Sequence, residues 1–299
     1  MQLRTTSTQR TYRYVRLSIV GVVLLLAVSI TAQVVAGGPL GSVSAAYYTP
    51  ARNVFVGSLC AVALAMLALS GRSVEQALLD VAALLAPVIA FVPTPVATGD
   101  ISGVAVACPG EGACIPAAVV PEVANGMVSL AAIGVIGVLG AVVLAVVQRT
   151  LSAALAWALA LAGAIVVGMV GWWTLAPETF LLGAHYVATI GFFSLIAAVA
   201  ALAAIRPAAR TRRGHRALRA AYAAIAAGIV LSLAFVIGLV VLQAVGVDLI
   251  AADGPPLFFA GEAVALLLFA AFWAVQTVEL WNESDPAFRA AGFARRIRE

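Results

Sequence analysis

The chain has 299 residues, of which 64% are hydrophobic and only 10% charged. Soluble domains are about 45–50% apolar and about 25% charged, so a soluble fold of this length cannot keep this much apolar surface from water, and lipid is the expected solvent. All 17 basic residues are arginine, and they stand in short segments beside apolar runs, a pattern that excludes nucleic acid as the expected partner.

A helix needs about 20 apolar residues to cross a bilayer. Eight runs approach or exceed this: 17–35, 54–69, 76–92, 127–147, 152–175, 179–205, 220–245 and 257–280. The long runs without alternation argue against a barrel and leave helices as the only spanning structure. The expected fold is therefore all-α, a polytopic membrane bundle of about eight helices forming one transmembrane domain over 1–299.

The first run follows Arg4, Arg10, Arg13 and Arg16, and Ser44-Ala45-Ala46 after it resembles a signal-peptidase site. A signal core is about 7–15 residues, and this run is longer, so it is read as a retained span. Before the second run, Thr49-Pro50 has the form of a helix start, with Thr49 as N-cap and Pro50 at the first helical position. Cys60 within that run reads as a small apolar residue.

The third run carries Gln76 and Asp80 on one face by their i,i+4 spacing, and Pro87, which favours a kink. The segment 93–125 is the longest outer loop. Within it Cys108 and Cys114 flank a Pro-Gly turn, and an oxidising exterior would bridge them. In the fourth run Gly134, Gly137 and Gly140 make a small-residue face suited to close helix packing. The loop Arg206–Arg219 holds six arginines and His215, a charge able to attract anionic lipid head groups. On the eighth run Glu262, Phe269, Trp273 and Gln276 lie on one stripe.

Orientation follows from the arginines. With the N-terminus inside, sixteen fall on inner segments and only Arg52 on an outer one. This positive-inside bias predicts an even number of spans, both termini in the cytoplasm and a place in the plasma (cytoplasmic) membrane.

Ionisable groups inside spans are costly and tend to face the bundle interior. Glu75 and Glu279 sit near inner ends and reach water. His185 and Glu262 lie at about 8–9 Å below the outer boundary, whereas Asp80 lies about 8 Å above the inner one. Arg52 is close to the level of Glu262, so Arg52, Asn53, His185 and Glu262 are expected to form an outer polar cluster with Arg52 paired to Glu262. It is either a ligand pocket or an interhelical lock. Gln76 and Asp80 would form a second intramembrane polar site.

No phosphate-binding glycine loop, His-Glu-x-x-His, Gly-x-Ser-x-Gly or Cys-x-x-Cys motif is present. With two histidines predicted on opposite sides, no metal site and no cofactor are expected.

The stretch Ser42-Val-Ser-Ala-Ala-Tyr-Tyr-Thr-Pro-Ala-Arg-Asn-Val-Phe-Val-Gly57 resembles one found in bacterial multi-pass membrane proteins of unknown function. Pro93-Thr94, His185–Phe193, Glu262-Ala-Val-Ala and Phe272-Trp273 are similar to the same group. The resemblance implies a shared fold and membrane location, and groups Arg52, His185 and Glu262 in one recurring set. In that group an acidic residue often stands where this chain has Asn53, which weakens a charge-pair role there.

The functional expectation is a membrane protein that binds or transports a small amphiphile, lipid or ion through an outward-facing polar pocket. The first rival is a non-catalytic structural or lipid-organising protein. The second, less favoured, is a membrane-embedded hydrolase using His185 as base.

Overall fold

The computed structural model describes residues 7–71, 73–97, 101, 108, 112–149, 153–206, 213–245 and 256–281. Of the arginines counted above, Arg4, Arg72, Arg210, Arg212, Arg289, Arg295, Arg296 and Arg298 lie outside these residues, as do both termini.

The described chain is helical: α1 (Ser7–Gly37), a 3-10 turn (Ser44–Tyr48), α2 (Arg52–Ala68), α3 (Val74–Phe91), α4 (Val120–Val147), α5 (Ala153–Leu175), α6 (Pro177–Ile205), α7 (Arg213–Ala244) and α8 (Leu257–Glu279). Seven of these helices are long and apolar enough to cross a membrane, and α2 is the exception at 17 residues. At 1.5 Å per residue α2 is about 25 Å long, slightly less than a typical hydrocarbon core. The protein is a multi-pass membrane protein.

The helix ends follow local chemistry. Gly38, with φ of 92°, ends α1 in the left-handed region that a side chain disfavours, and its N–H bonds Val34 O. Ser73 and Gln76 form a reciprocal capping box that starts α3. The Thr49 hydroxyl accepts from the Ala51 N–H at 3.2 Å, but α2 begins at Arg52 with Ala51 as its N-cap and no side-chain capping bond, so Thr49 and Pro50 stand before the helix start expected of them.

Six helices close a ring. α1 packs on α2, α2 on α3, α3 on α6, α6 on α7, α7 on α8 and α8 back on α1. The α4–α5 hairpin lies outside the ring against α3 and α6. Its apolar side chains are largely exposed, Ile133, Ile136, Leu139 and Trp157 among them. The small-residue face of α4 is correspondingly loose. Gly134 meets Val166 of α5, but nothing lies within 4 Å of the Cβ positions of Gly137 or Gly140, so close packing extends over only one of the three glycines.

Cross-links sort the helix ends into two sets. At one end Arg13 Nε donates to Trp281 O, Arg206 pairs with Glu75, Arg219 Nε donates to Ala204 O at 2.6 Å, and Tyr222 donates to Glu279 at 2.8 Å. At the other end the Phe259 N–H bonds Gly41 O, Tyr48 donates to Thr94 O, and Arg52 meets Glu122. Neighbours in the ring therefore alternate in direction. Every arginine at the first end comes from the group read as inner, and the second end holds Arg52.

Near the second end the segment after α3 folds across the helix termini. Val96 and Cys114 exchange backbone bonds at 3.0 Å, Leu40 pairs with Ile101, and Cys108 and Cys114 are joined by a disulfide.

Candidate functional site

A cavity of about 50 Å³ lies inside the ring, in the half nearer the second end. A space of about 10–15 Å³ already holds a water molecule, so this one admits several waters or a slender chain. Its walls are apolar: Val22 and Leu26 of α1, Phe55 and Leu59 of α2, Ile89 of α3, and Phe192 of α6 among others. Below it the bundle is closed by Phe269 and Trp273, both essentially fully buried, with Phe269 and Phe192 ring centroids 5.4 Å apart.

The polar lining is sparse: Ser44, Ser58, Thr189 and Glu262. The Ser58 and Thr189 hydroxyls are buried, and neither finds a hydrogen-bond partner. Unmet buried polar groups are unusual and costly, and these two lie on one cavity.

Glu262 stands one turn into α8. Its Oε2 accepts the N–H groups of Val43 at 2.5 Å and Ser44 at 3.2 Å. Those amides are available because the chain enters the 3-10 turn there, leaving its first donors without carbonyl partners. The Ser44 hydroxyl lies 2.9 Å from His185 Nε2, and His185 Nδ1 lies 2.7 Å from Val92 O. A carbonyl only accepts, so Nδ1 carries the hydrogen. In the neutral ring Nε2 then accepts, and the single Ser44 hydrogen points to it. The same hydroxyl reaches Glu262 Oε1 at 3.4 Å, a long bond that competes with the shorter one to His185. Oε1 is therefore met only by this long hydrogen bond, shared with His185.

Arg52 is not part of this centre. Its guanidinium pairs with Glu122 in the first turn of α4, donates to the Tyr47 hydroxyl at 2.6 Å and lies 4.1 Å from that ring's centroid. The expected Arg52–Glu262 pair is replaced by Arg52–Glu122. The side chains of Arg52 and Glu122 keep 33% and 46% exposure, so the pair forms where desolvation costs little, whereas meeting Glu262 would require burying the guanidinium. Tyr47, outside the helices, is 2% exposed, and burial pushes its hydroxyl up from its ordinary value against the pull of Arg52. Asn53 is exposed and also lies apart. Of the four residues expected to cluster, only His185 and Glu262 meet, and they do so through Ser44.

Gln76 and Asp80 serve the turn between α2 and α3. Gln76 Nε2 donates to Leu69 O at 3.3 Å, and Ser70 donates to Asp80 Oδ2 at 2.6 Å, while Asp80 Oδ1 is buried without a partner. They stabilise a tight connection and do not line the cavity. Among the described residues no group of three His, Cys, Asp or Glu side chains is arranged to hold a metal.

Reading the residues alone missed Ser44, Glu122 and the two orphan hydroxyls. Ser44 had been noticed only as part of a small-residue triplet, and Glu122 as a loop residue. No family model matches the chain, and no curated protein or solved structure does either.

The Arg52–Glu122 assignment has a direct test. In a double-mutant cycle by thermal melting, Arg52→Gln with Glu122→Gln should show a coupling of about 0.5–1 kcal/mol, as expected of a half-exposed pair. Arg52→Gln with Glu262→Gln should be additive.

Proposed function

We propose that the protein binds or moves a small amphiphile through its outer cavity, the chain of the ligand lying between α1, α2 and α6 and its head group at Glu262, Ser58 and Thr189. One observation carries this reading: an apolar cavity whose few polar groups include two buried hydroxyls without partners. A protein that used these residues only to lock helices together would bond them to one another. Ser58→Leu should fill the space and remove the polar contact. With the purified protein, decanol should raise the melting temperature of the native chain and leave that of Ser58→Leu unchanged. Equal stabilisation of both would refute the cavity as the binding place.

The membrane is proposed to be the plasma (cytoplasmic) membrane, crossed eight times with α2 included and both termini cytoplasmic. The grouping of arginines at one set of helix ends supports this reading, because arginine on short loops favours the cytoplasmic side. Reporters inserted between Arg213 and Gly214, or fused after Glu299, should read cytoplasmic. An external reading at either point would remove the eight-crossing arrangement. Anionic lipid head groups are proposed partners of the Arg206–Arg219 segment. Arg206 and Arg219 are held by Glu75 and Ala204 O, so exposed Arg216 is the described side chain best placed to contribute.

A second reading is a membrane hydrolase, favoured by the 2.9 Å approach of the Ser44 hydroxyl to His185 Nε2. Ser44 would be the nucleophile and His185 the base. Against it, Ser44 is only 6% exposed.

A further inference from the structure

We propose that the outer cavity is selective for cations, and that its ligand is a chain carrying a protonated amine that donates to Glu262 Oε1. This rests on the cavity being a ligand site, and concerns which head group it accepts.

Three independent observations set the sign. The first is the hydrogen-bond count at Glu262. Two amides satisfy Oε2, whereas Oε1 has only the Ser44 hydroxyl at 3.4 Å, shared with His185, and Glu262 lines the cavity. A half-buried carboxylate oxygen met only by a long, shared hydrogen bond is under-satisfied, and an ammonium supplies both hydrogen and charge.

The second is the absence of a compensating positive charge. No charged side chain acts on Glu262 among the described residues. Arg52, the single arginine of the outer segments, is engaged by Glu122 and Tyr47. The sequence segments 98–100, 102–107, 109–111 and 246–255 contain no basic residue.

The third is the balance of charge over the outer side. Among the described residues Glu122, Glu178 and Glu262 stand near the starts of α4, α6 and α8 at that end, against Arg52 alone. Such an excess attracts cations to that end of the bundle and repels anions. The Ser58 hydroxyl, on a residue 5% exposed, and that of Thr189 add acceptors for the remaining ammonium hydrogens.

The size of the cavity sets the chain class. Apolar walls and an aromatic floor at Phe269 suit a single unbranched alkyl chain rather than a two-chain lipid.

The experiment uses the full chain in nanodiscs of phosphatidylcholine, a lipid without net charge, with empty nanodiscs as the blank. Decylammonium, decanol and decyl sulfate share a chain and differ in head group. Decylammonium should bind the native protein about tenfold more tightly than decanol, the scale of one charge-assisted hydrogen bond, and decyl sulfate most weakly. Glu262→Gln should abolish the amine preference, bringing decylammonium down to the level of decanol.

Equal binding of amine and alcohol, tighter binding of the sulfate, or an amine preference that survives Glu262→Gln would overturn the inference and leave the cavity reading standing. Failure of all three chains to bind would overturn the cavity reading, and this inference with it. The head-group comparison needs only the native chain, so instability of the variant does not shelter the proposal.

Discussion

Phe269→Ala should destabilise the protein by about 3 kcal/mol and at the same time change the chain length it prefers. Phe269 is 1% exposed, stacks against Phe192 and Trp273, and forms the floor of the cavity. In lipid the hydrophobic effect contributes little between helices, so the loss is one of packing contacts, and truncating a ring at the centre of a closed ring of helices leaves a void that its neighbours cannot fill. The void adjoins the ligand space and lengthens it. In melting experiments on purified protein the midpoint should fall, and the n-alkanol giving the largest stabilisation should shift to a longer homologue as the floor drops. An unchanged midpoint would mean that the aromatic floor does not hold the ring together. A lower midpoint with the same preferred chain would mean that the ligand lies elsewhere.

His185→Leu should cost about 2–5 kcal/mol, clearly more than Ser44→Ala. The imidazole is 1% exposed and connects three elements: Nδ1–H donates to Val92 O at the end of α3, and Nε2 receives the Ser44 hydrogen from the 3-10 turn. Leucine has a similar size but leaves a buried carbonyl without a donor and deprives the Ser44 hydroxyl of its 2.9 Å acceptor, with only Glu262 Oε1 at 3.4 Å to turn to. Each omission is worth about 1–3 kcal/mol. Ser44→Ala leaves only Nε2 unmet and keeps both backbone amides that hold Glu262. The same two variants separate binding from hydrolysis. Under the hydrolase reading, a fluorophosphonate probe should label the native protein at Ser44, and His185→Gln should suppress labelling. Under the binding reading, the probe should leave Ser44 unmodified, and Ser44→Ala should bind decanol as the native chain does. If His185→Leu melts no lower than Ser44→Ala, the imidazole is not the joint that its hydrogen bonds describe.

The outer polar centre shows what depth along a helix can and cannot predict. His185 and Glu262 were placed at similar levels by counting residues from the ends of their runs, and they do share a partner. Counting gives a height but no azimuth, and Arg52 at a similar height is drawn to Glu122. The competing carboxylate was hidden because α4 begins at Val120, well before the apolar run at Met127, which carries a residue read as loop into the first turn of a helix. Likewise, Ser44 carried no periodic signal, since a single 3-10 turn is too short to show one.

The sequence by itself determined that the protein lies in a membrane and is built from helices. It also determined which helix ends carry arginine, because hydrocarbon admits no unpaired backbone and few charges, and each of these constraints is read residue by residue. Only the tertiary structure decided that α1, α2, α3, α6, α7 and α8 close a ring while α4 and α5 stand outside it. It also decided that Arg52 leaves Glu262 for Glu122, and that Ser44 joins Glu262 to His185. Helices that are apolar on every side carry no stripe to choose their neighbours, so their partners are selected by packing and by a few buried hydrogen bonds between residues far apart in the chain.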